Sequence, residues 1–178
     1  MNSALVALGL TVFAAASLSA QNSATPVSAL HRRTEFHFTA NAPLEQAAPL
    51  FGANEERKWA PDWSPQFLYP MPAKDQPGMV FSVAHGQLTS TWVNTAFDLA
   101  NGHVQYVYVL ADAMVTTIDI RLTREGPQKT GVTVVYERTA LMPEANEHVQ
   151  HFARGDEKAG EEWEEQINAY LAGLAVKK

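Results

Sequence analysis

The chain has 178 residues, 46% of them hydrophobic and 18% charged, a balance that excludes disordered, collagenous and low-complexity classes. Thirteen Lys and Arg against nineteen Asp and Glu leave a net charge of −6 with the basic residues scattered, so a phosphate backbone is repelled and nucleic acid is not an expected partner. Cysteine is absent, which removes disulfides, thiolate metal sites, iron–sulfur clusters and cysteine nucleophiles.

The only long apolar run, Ala4 to Ala20, carries no charge. A transmembrane helix needs about 20 strongly apolar residues with aromatic or basic anchors. This run is shorter, rich in Ala and Ser towards its end, and followed by polar Gln21-Asn22-Ser23. Residues 1–20 are therefore expected to be a cleaved secretory signal, cut after Leu18-Ser19-Ala20, which sends the protein to the periplasm or the medium. An uncleaved anchor is the alternative, since no Lys or Arg precedes the run and Leu18 is large for its place. Residues 21–33 mix Ser, Ala, Thr and Pro without period and read as a flexible linker. A single domain is expected over residues 34–174, with a short tail at 175–178. Without disulfides it must be held by its core, and a chain of this length buries roughly 70% of its unfolded surface.

Thr34 to Ala40 alternates, with Phe36 and Phe38 opposite His37 and Thr39, which predicts a strand. Pro43 suits a first helical position, and Leu44, Ala47, Ala48 and Phe51 share one face of a helix that Pro49 and Gly52 keep short and bent. Glu55 to Pro65 holds two indoles and two prolines and cannot be one helix. Strand patterns follow at Phe67-Leu68-Tyr69, Gly78–His85, Thr91–Phe97, His103–Leu110, Val115–Thr123 and Val132–Leu141, separated by turn signals too short for crossover helices. They predict an antiparallel meander. After Pro143 the period changes: Val149, Phe152, Ala159, Trp163, Ile167, Tyr170, Leu171 and Leu174 form a stripe with the acids of residues 157–165 mostly opposite. This is one helix of about 30 residues or two meeting near Gly155, in which case Asp156 is the N-cap of the second.

A long one-faced helix needs a matching surface, and a twisted sheet of about seven antiparallel strands offers a concave one. The fold class is therefore α+β, with the sheet wrapped around the last helix and two short helices after the first strand. In this the chain resembles the START-like, or SRPBCC, superfamily of helix-grip proteins, which includes plant pollen-allergen-like, lipid-transfer and polyketide cyclase/dehydrase-like proteins. The likeness rests on Phe51-Gly52, Trp59-Ala60-Pro61-Asp62-Trp63, Phe67-Leu68-Tyr69-Pro70, Gly78-Met79-Val80-Phe81, Thr91-Trp92-Val93, Tyr106-Val107, Thr139-Ala140-Leu141, Trp163 and Ile167-Asn168-Ala169-Tyr170-Leu171, and spans Thr34 to Leu174. The superfamily has no shared catalytic set, so the resemblance implies a fold and a class of ligand and no catalytic residue. An export signal departs from its mostly cytosolic membership.

A curved sheet and a straight helix touch at their ends and part in the middle, leaving a hollow that side chains fill or a ligand occupies. Ala159 and Gly160, flanked by Phe152 and Trp163, place the smallest helix residues where the gap is expected; the alternative is that they allow close helix–sheet approach. Trp59, Trp63, Phe67, Tyr69, Phe81, Trp92, Tyr106 and Tyr108 offer rings to line the space, though each singly also reads as core. The segment from Trp59 to Trp63 either borders the mouth or plugs it.

Among the six histidines, His85 and His37 lie in strands and could point inward as a general base. Glu144, Glu147, His148 and His151 have helical spacing that suits a metal but suits a solvated face better, and no HExxH signature is present. Asp119, Arg121, Glu137 and Arg138 are expected to pair across adjacent strands on the solvent side. No nucleophile elbow, phosphate loop or dinucleotide fingerprint occurs, and no cofactor or metal is expected. The leading reading is a binder or carrier of a small apolar or aromatic molecule. The alternatives are a cyclase/dehydratase-like enzyme using an inward His or acid, and a domain acting through its surface.

Overall fold

A computed structural model describes residues 28–176. The expected signal at residues 1–20 lies outside the described residues, as does most of the expected linker. Strand β1 spans His31–Ala40 and begins three residues before the expected Thr34. The linker reading of His31 to Arg33 is thereby corrected. These residues pair with Thr139, Arg138 and Glu137, but their own side chains are exposed, so no apolar alternation announces the strand.

Helix α1, Leu44–Ala47, continues into a 3-10 turn at Ala48–Phe51, the tightening expected where Pro49 removes a donor. A second 3-10 turn occupies Glu56–Lys58. Six strands follow: β2 Gln66–Tyr69, β3 Val80–His85, β4 Leu88–Asp98, β5 His103–Leu110, β6 Met114–Gly126 and β7 Lys129–Ala140. They pair antiparallel in the order β1-β7-β6-β5-β4-β3-β2, a meander whose last strand takes the first as its outer neighbour. A third 3-10 turn at Pro143–Ala145 leads into helix α2, Asn146–Val176. The α+β architecture is the one the periodicities predict.

Helix α2 is a single helix and does not restart at Asp156. Gly155 faces solvent, with nothing within 4 Å of where a Cβ would stand, so no tertiary contact bends the chain there. The buried positions are Val149, Ala153, Asp156, Gly160, Ile167 and Leu171, a stripe at helical spacing that includes one acid. The helix also runs past the expected domain end at residue 174, to Val176. Among the described residues no helix is long and apolar enough to cross a membrane.

The acid in the stripe meets a base in the sheet. In β7 the inward residues alternate as Val132, Val134, Tyr136 and Arg138, so Arg138 projects into the core and not to solvent as expected. Its guanidinium donates to both Asp156 carboxylate oxygens, to the Tyr108 hydroxyl at 2.6 Å and to Thr116 Oγ1 at 3.1 Å. Thr34 of β1 donates to Asp156 Oδ2 at 2.7 Å. The guanidinium also stacks over the Tyr136 ring, 4.5 Å from its centroid. Every charge in this cluster is paired, which is the condition on which buried charges are tolerated. Asp119 and Arg121 do pair on the outer face, but within β6 and not across strands; the cross-strand partners of Asp119 are in β5, Gln105, which donates to it, and His103, whose Nε2 lies 2.9 Å away.

Leaving Arg138 without its partner strands a buried cation. Asp156→Ala is expected to lower the unfolding free energy in urea by about 3–5 kcal/mol, while the double change Arg138→Met/Asp156→Leu recovers most of that loss. A single-variant loss below about 1 kcal/mol would show the pair to be solvated.

Candidate functional site

The loop from Gly52 to Pro65 closes one end of the sheet, and its own indoles tie it down. Trp59 Nε1 donates to the Leu50 carbonyl at 2.8 Å and Trp63 Nε1 to the Ala53 carbonyl at 2.7 Å. Backbone bonds from Glu56 to Gly52, from Lys58 to Glu55 and from Ala60 to Glu56 wind the intervening residues into a tight turn. Pro61 and Pro65 stop that turn from propagating into a helix. The loop therefore holds Glu56 and Trp63 over the concave face.

Beneath it lies a cavity of about 90 Å³, lined by Glu56, Trp63, Phe81, Trp92, Tyr106, Ile118, Ile120, Tyr136 and Trp163. Five expected residues are present: Trp63, Phe81, Trp92, Tyr106 and Trp163. Trp63 packs edge to face against Trp92 at 5.5 Å and against Phe81 at 5.9 Å, while Phe81 and Trp92 stack on each other. Of the lining residues only Glu56, Trp63 and Trp163 are not fully buried, so any route to solvent runs between them.

The remaining expected residues lie elsewhere, each for a packing reason. Trp59 packs behind Trp163, rings 5.5 Å apart, and faces an outer groove with Pro61 and Tyr170. Phe67 backs Phe81, whereas Tyr69 is 58% exposed on the edge strand β2, which has no outer neighbour. Tyr108 stacks on Trp92 at 4.3 Å and gives its hydroxyl to Arg138 as an acceptor. Phe152 covers Arg138 and meets His85 edge-on. Ala159 and Gly160 do not line the cavity. A Cβ at Gly160 would sit 3.1 Å from Phe36, so this glycine serves close approach of α2 to β1, and the reading that it opens the hollow is corrected.

The histidine expectations are resolved similarly. His37 points outward, with Nδ1 2.9 Å from Thr133 Oγ1 and Nε2 beside Glu35. His85 points inward, but it sits at the end of β3, with Nε2 2.8 Å from Ser90 Oγ, and burial lowers its pKa. It lies outside the cavity lining. Glu144, Glu147, His148 and His151 line an open groove with Arg154, and among the described residues no group of three potential ligands could hold a metal.

Glu56 is the residue the sequence did not single out. Its carboxyl accepts no hydrogen bond and forms no ion pair among the described residues, and no Lys, Arg or His lines the cavity with it. Burial pushes its pKa up to about 8, with the nearby Asp75 carboxylate adding to the rise. Asp75 lies close because residue 52 is glycine: a Cβ there would stand 2.5 Å from the Asp75 carboxyl, which also accepts from the Asn54 amide at 2.9 Å. Burial raises the Asp75 pKa as well. Tyr106 donates to the Phe51 carbonyl at 2.9 Å, and burial holds its hydroxyl protonated. Strand parity would have found Ile118, Ile120 and Tyr136. Nothing local marks Glu56, because it reaches the cavity through the course of a loop.

No family model matches the sequence, and no curated protein matches it. Solved structures do share its fold. Norcoclaurine synthase from Thalictrum flavum is 9% identical with a TM-score of 0.62, the match covering 93% of this chain and 99% of that one. The Zhui aromatase/cyclase from Streptomyces sp. R1128 is 15% identical with a TM-score of 0.54, over 83% of this chain and 95% of that one. Ara h 8.0201 is 16% identical with a TM-score of 0.53, over 80% of this chain and 99% of that one. The fold is therefore the helix-grip fold that these proteins share, a curved seven-stranded antiparallel sheet around a long C-terminal helix.

The raised Glu56 pKa has a definite consequence for stability. The folded protein holds that proton more tightly than the unfolded chain, so the contribution is complete below about pH 4.5 and is lost as pH rises to about 8. Relative to Glu56→Gln, whose side chain stays neutral, the wild type is expected to lose a few kcal/mol of unfolding free energy between pH 5 and pH 8.5. Parallel stability curves for the two proteins would show a solvated carboxyl.

Proposed function

We propose that the protein binds a small organic molecule through one apolar or aromatic moiety held in this cavity. The observation that carries the proposal is an aromatic-walled space of about 90 Å³ into which one carboxyl projects without a protein partner. Folded proteins ordinarily fill such space and satisfy such groups. Pockets for drug-sized ligands run to about 300–1,000 Å³, and an engineered cavity of about 150 Å³ holds benzene. The space therefore suits a head group or part of a ring, with the rest of the guest passing out between Glu56, Trp63 and Trp163. A long-chain lipid does not fit it. Export, on the strength of the Ala4–Ala20 run, is part of the same proposal.

One observation favours a second reading, an enzyme of the cyclase or dehydratase kind. A carboxyl with a pKa near 8 is protonated at neutral pH and can act as a general acid, the role first considered for a histidine. The aromatase/cyclase and the synthase of similar fold support this reading without transferring any residue.

Three of the four tryptophans line the cavity, so occupancy is readable by fluorescence. Phenol is expected to change the emission saturably in the millimolar range, and Ile118→Phe, which fills the cavity from its floor, is expected to abolish the change. A non-saturable response, or one that Ile118→Phe leaves intact, removes the proposal.

A further inference from the structure

We propose that the moiety held in the cavity is a small organic ammonium group, with Glu56 as its counter-ion and Trp63, Trp92 and Trp163 as its π walls. The inference rests on the binding reading above and adds the ligand's charge.

The observations are geometric. The lining offers ring surface on most sides and a carboxyl with no cationic partner, and ring faces attract cations most strongly when water is excluded. Every titratable group that faces Glu56 is acidic or neutral: Asp75 from the loop before β3, Tyr106 from β5 and Tyr136 from β7. The cations on its own turn are engaged elsewhere, Lys58 with Glu55 and Arg57 over the Phe67 ring. Among the described residues the one guanidinium in the core, Arg138, is held by Asp156. The local potential is therefore negative, which repels anions and leaves a cation as the guest that neutralises it. The fold already bears the cost of removing the carboxyl from water. A cation that enters bears only its own desolvation and gains a preorganised partner.

Such a guest must displace the Glu56 proton, and this gives the proposal a sign that a neutral ligand does not share. The test titrates the full chain with propylammonium, charged throughout the range used, and with 1-propanol of the same size, reading tryptophan fluorescence at pH 7 and pH 9. Propylammonium is expected to bind about tenfold tighter at pH 9 than at pH 7, as the carboxyl ionises through about pH 8, and at least tenfold tighter than 1-propanol at pH 9. Glu56→Gln should remove both the preference for propylammonium over 1-propanol and the rise in propylammonium affinity between pH 7 and pH 9. If the two probes bind alike, or if propylammonium affinity is flat with pH in the wild type, the ammonium assignment is overturned while the cavity still stands as a site. If neither they nor phenol bind, both readings fall.

Discussion

The position of the last helix rests on one buried ion pair. Asp156 lies on the inward stripe of α2 and Arg138 on the inward parity of β7, and either alone would be an uncompensated charge in an apolar core. Together, and with Tyr108, Thr116 and Thr34 taking up remaining hydrogen-bonding capacity, they allow the helix only one axial setting and rotation on the sheet. Shifting α2 by one turn would separate the charges, so apolar packing elsewhere must accommodate this register. The closeness of Gly160 to Phe36, a turn further on, follows from the same setting.

This placement also decides where the hollow is. Between the ion pair and the start of α2 the space is filled by Phe152, His85, Tyr108 and Trp92. Beyond Gly160 the helix presents Trp163, and the indole meets Trp59 and Phe36 edge-on. The residual cavity lies there, under the loop that carries Glu56 and Trp63. Aromatic rings fill most of the concave face, which favours selection of a small group over capacity for a large one.

A carboxyl in that setting is best understood as a stored electrostatic demand. Its environment penalises the charged form through burial and through Asp75, and no protein cation answers it. Such groups are costly to stability and tend to coincide with function, because a proton, a substrate or a counter-charge satisfies them when it arrives. The ammonium and general-acid readings are two ways of meeting the same demand, and they differ in whether the proton stays or leaves.

Much of this was readable residue by residue. Alternation places Ile118, Ile120 and Leu122 inward, and turn signals between the strands dictate a meander; both depend on the local periods of backbone geometry, which a sequence displays directly. The same alternation, carried through Val132, Val134 and Tyr136, puts Arg138 inward, but the sequence reading expects it at the solvent side and Asp156 at a helix start, because a charge on an inward position makes sense only once its distant partner is known. The exposure of Tyr69 and the close approach at Gly160 are not legible locally, because edge exposure and helix–sheet distance are properties of neighbours distant in sequence. Residues 31–33 were misjudged because a strand exposed on both faces has no hydrophobic period. The sequence by itself determined the element order, the sheet's inner face and the class of fold. Only the tertiary structure decided that the hollow is small, that it sits beneath Trp163 and that Glu56 enters it, because cavity size and loop course are set by the sum of long-range packing.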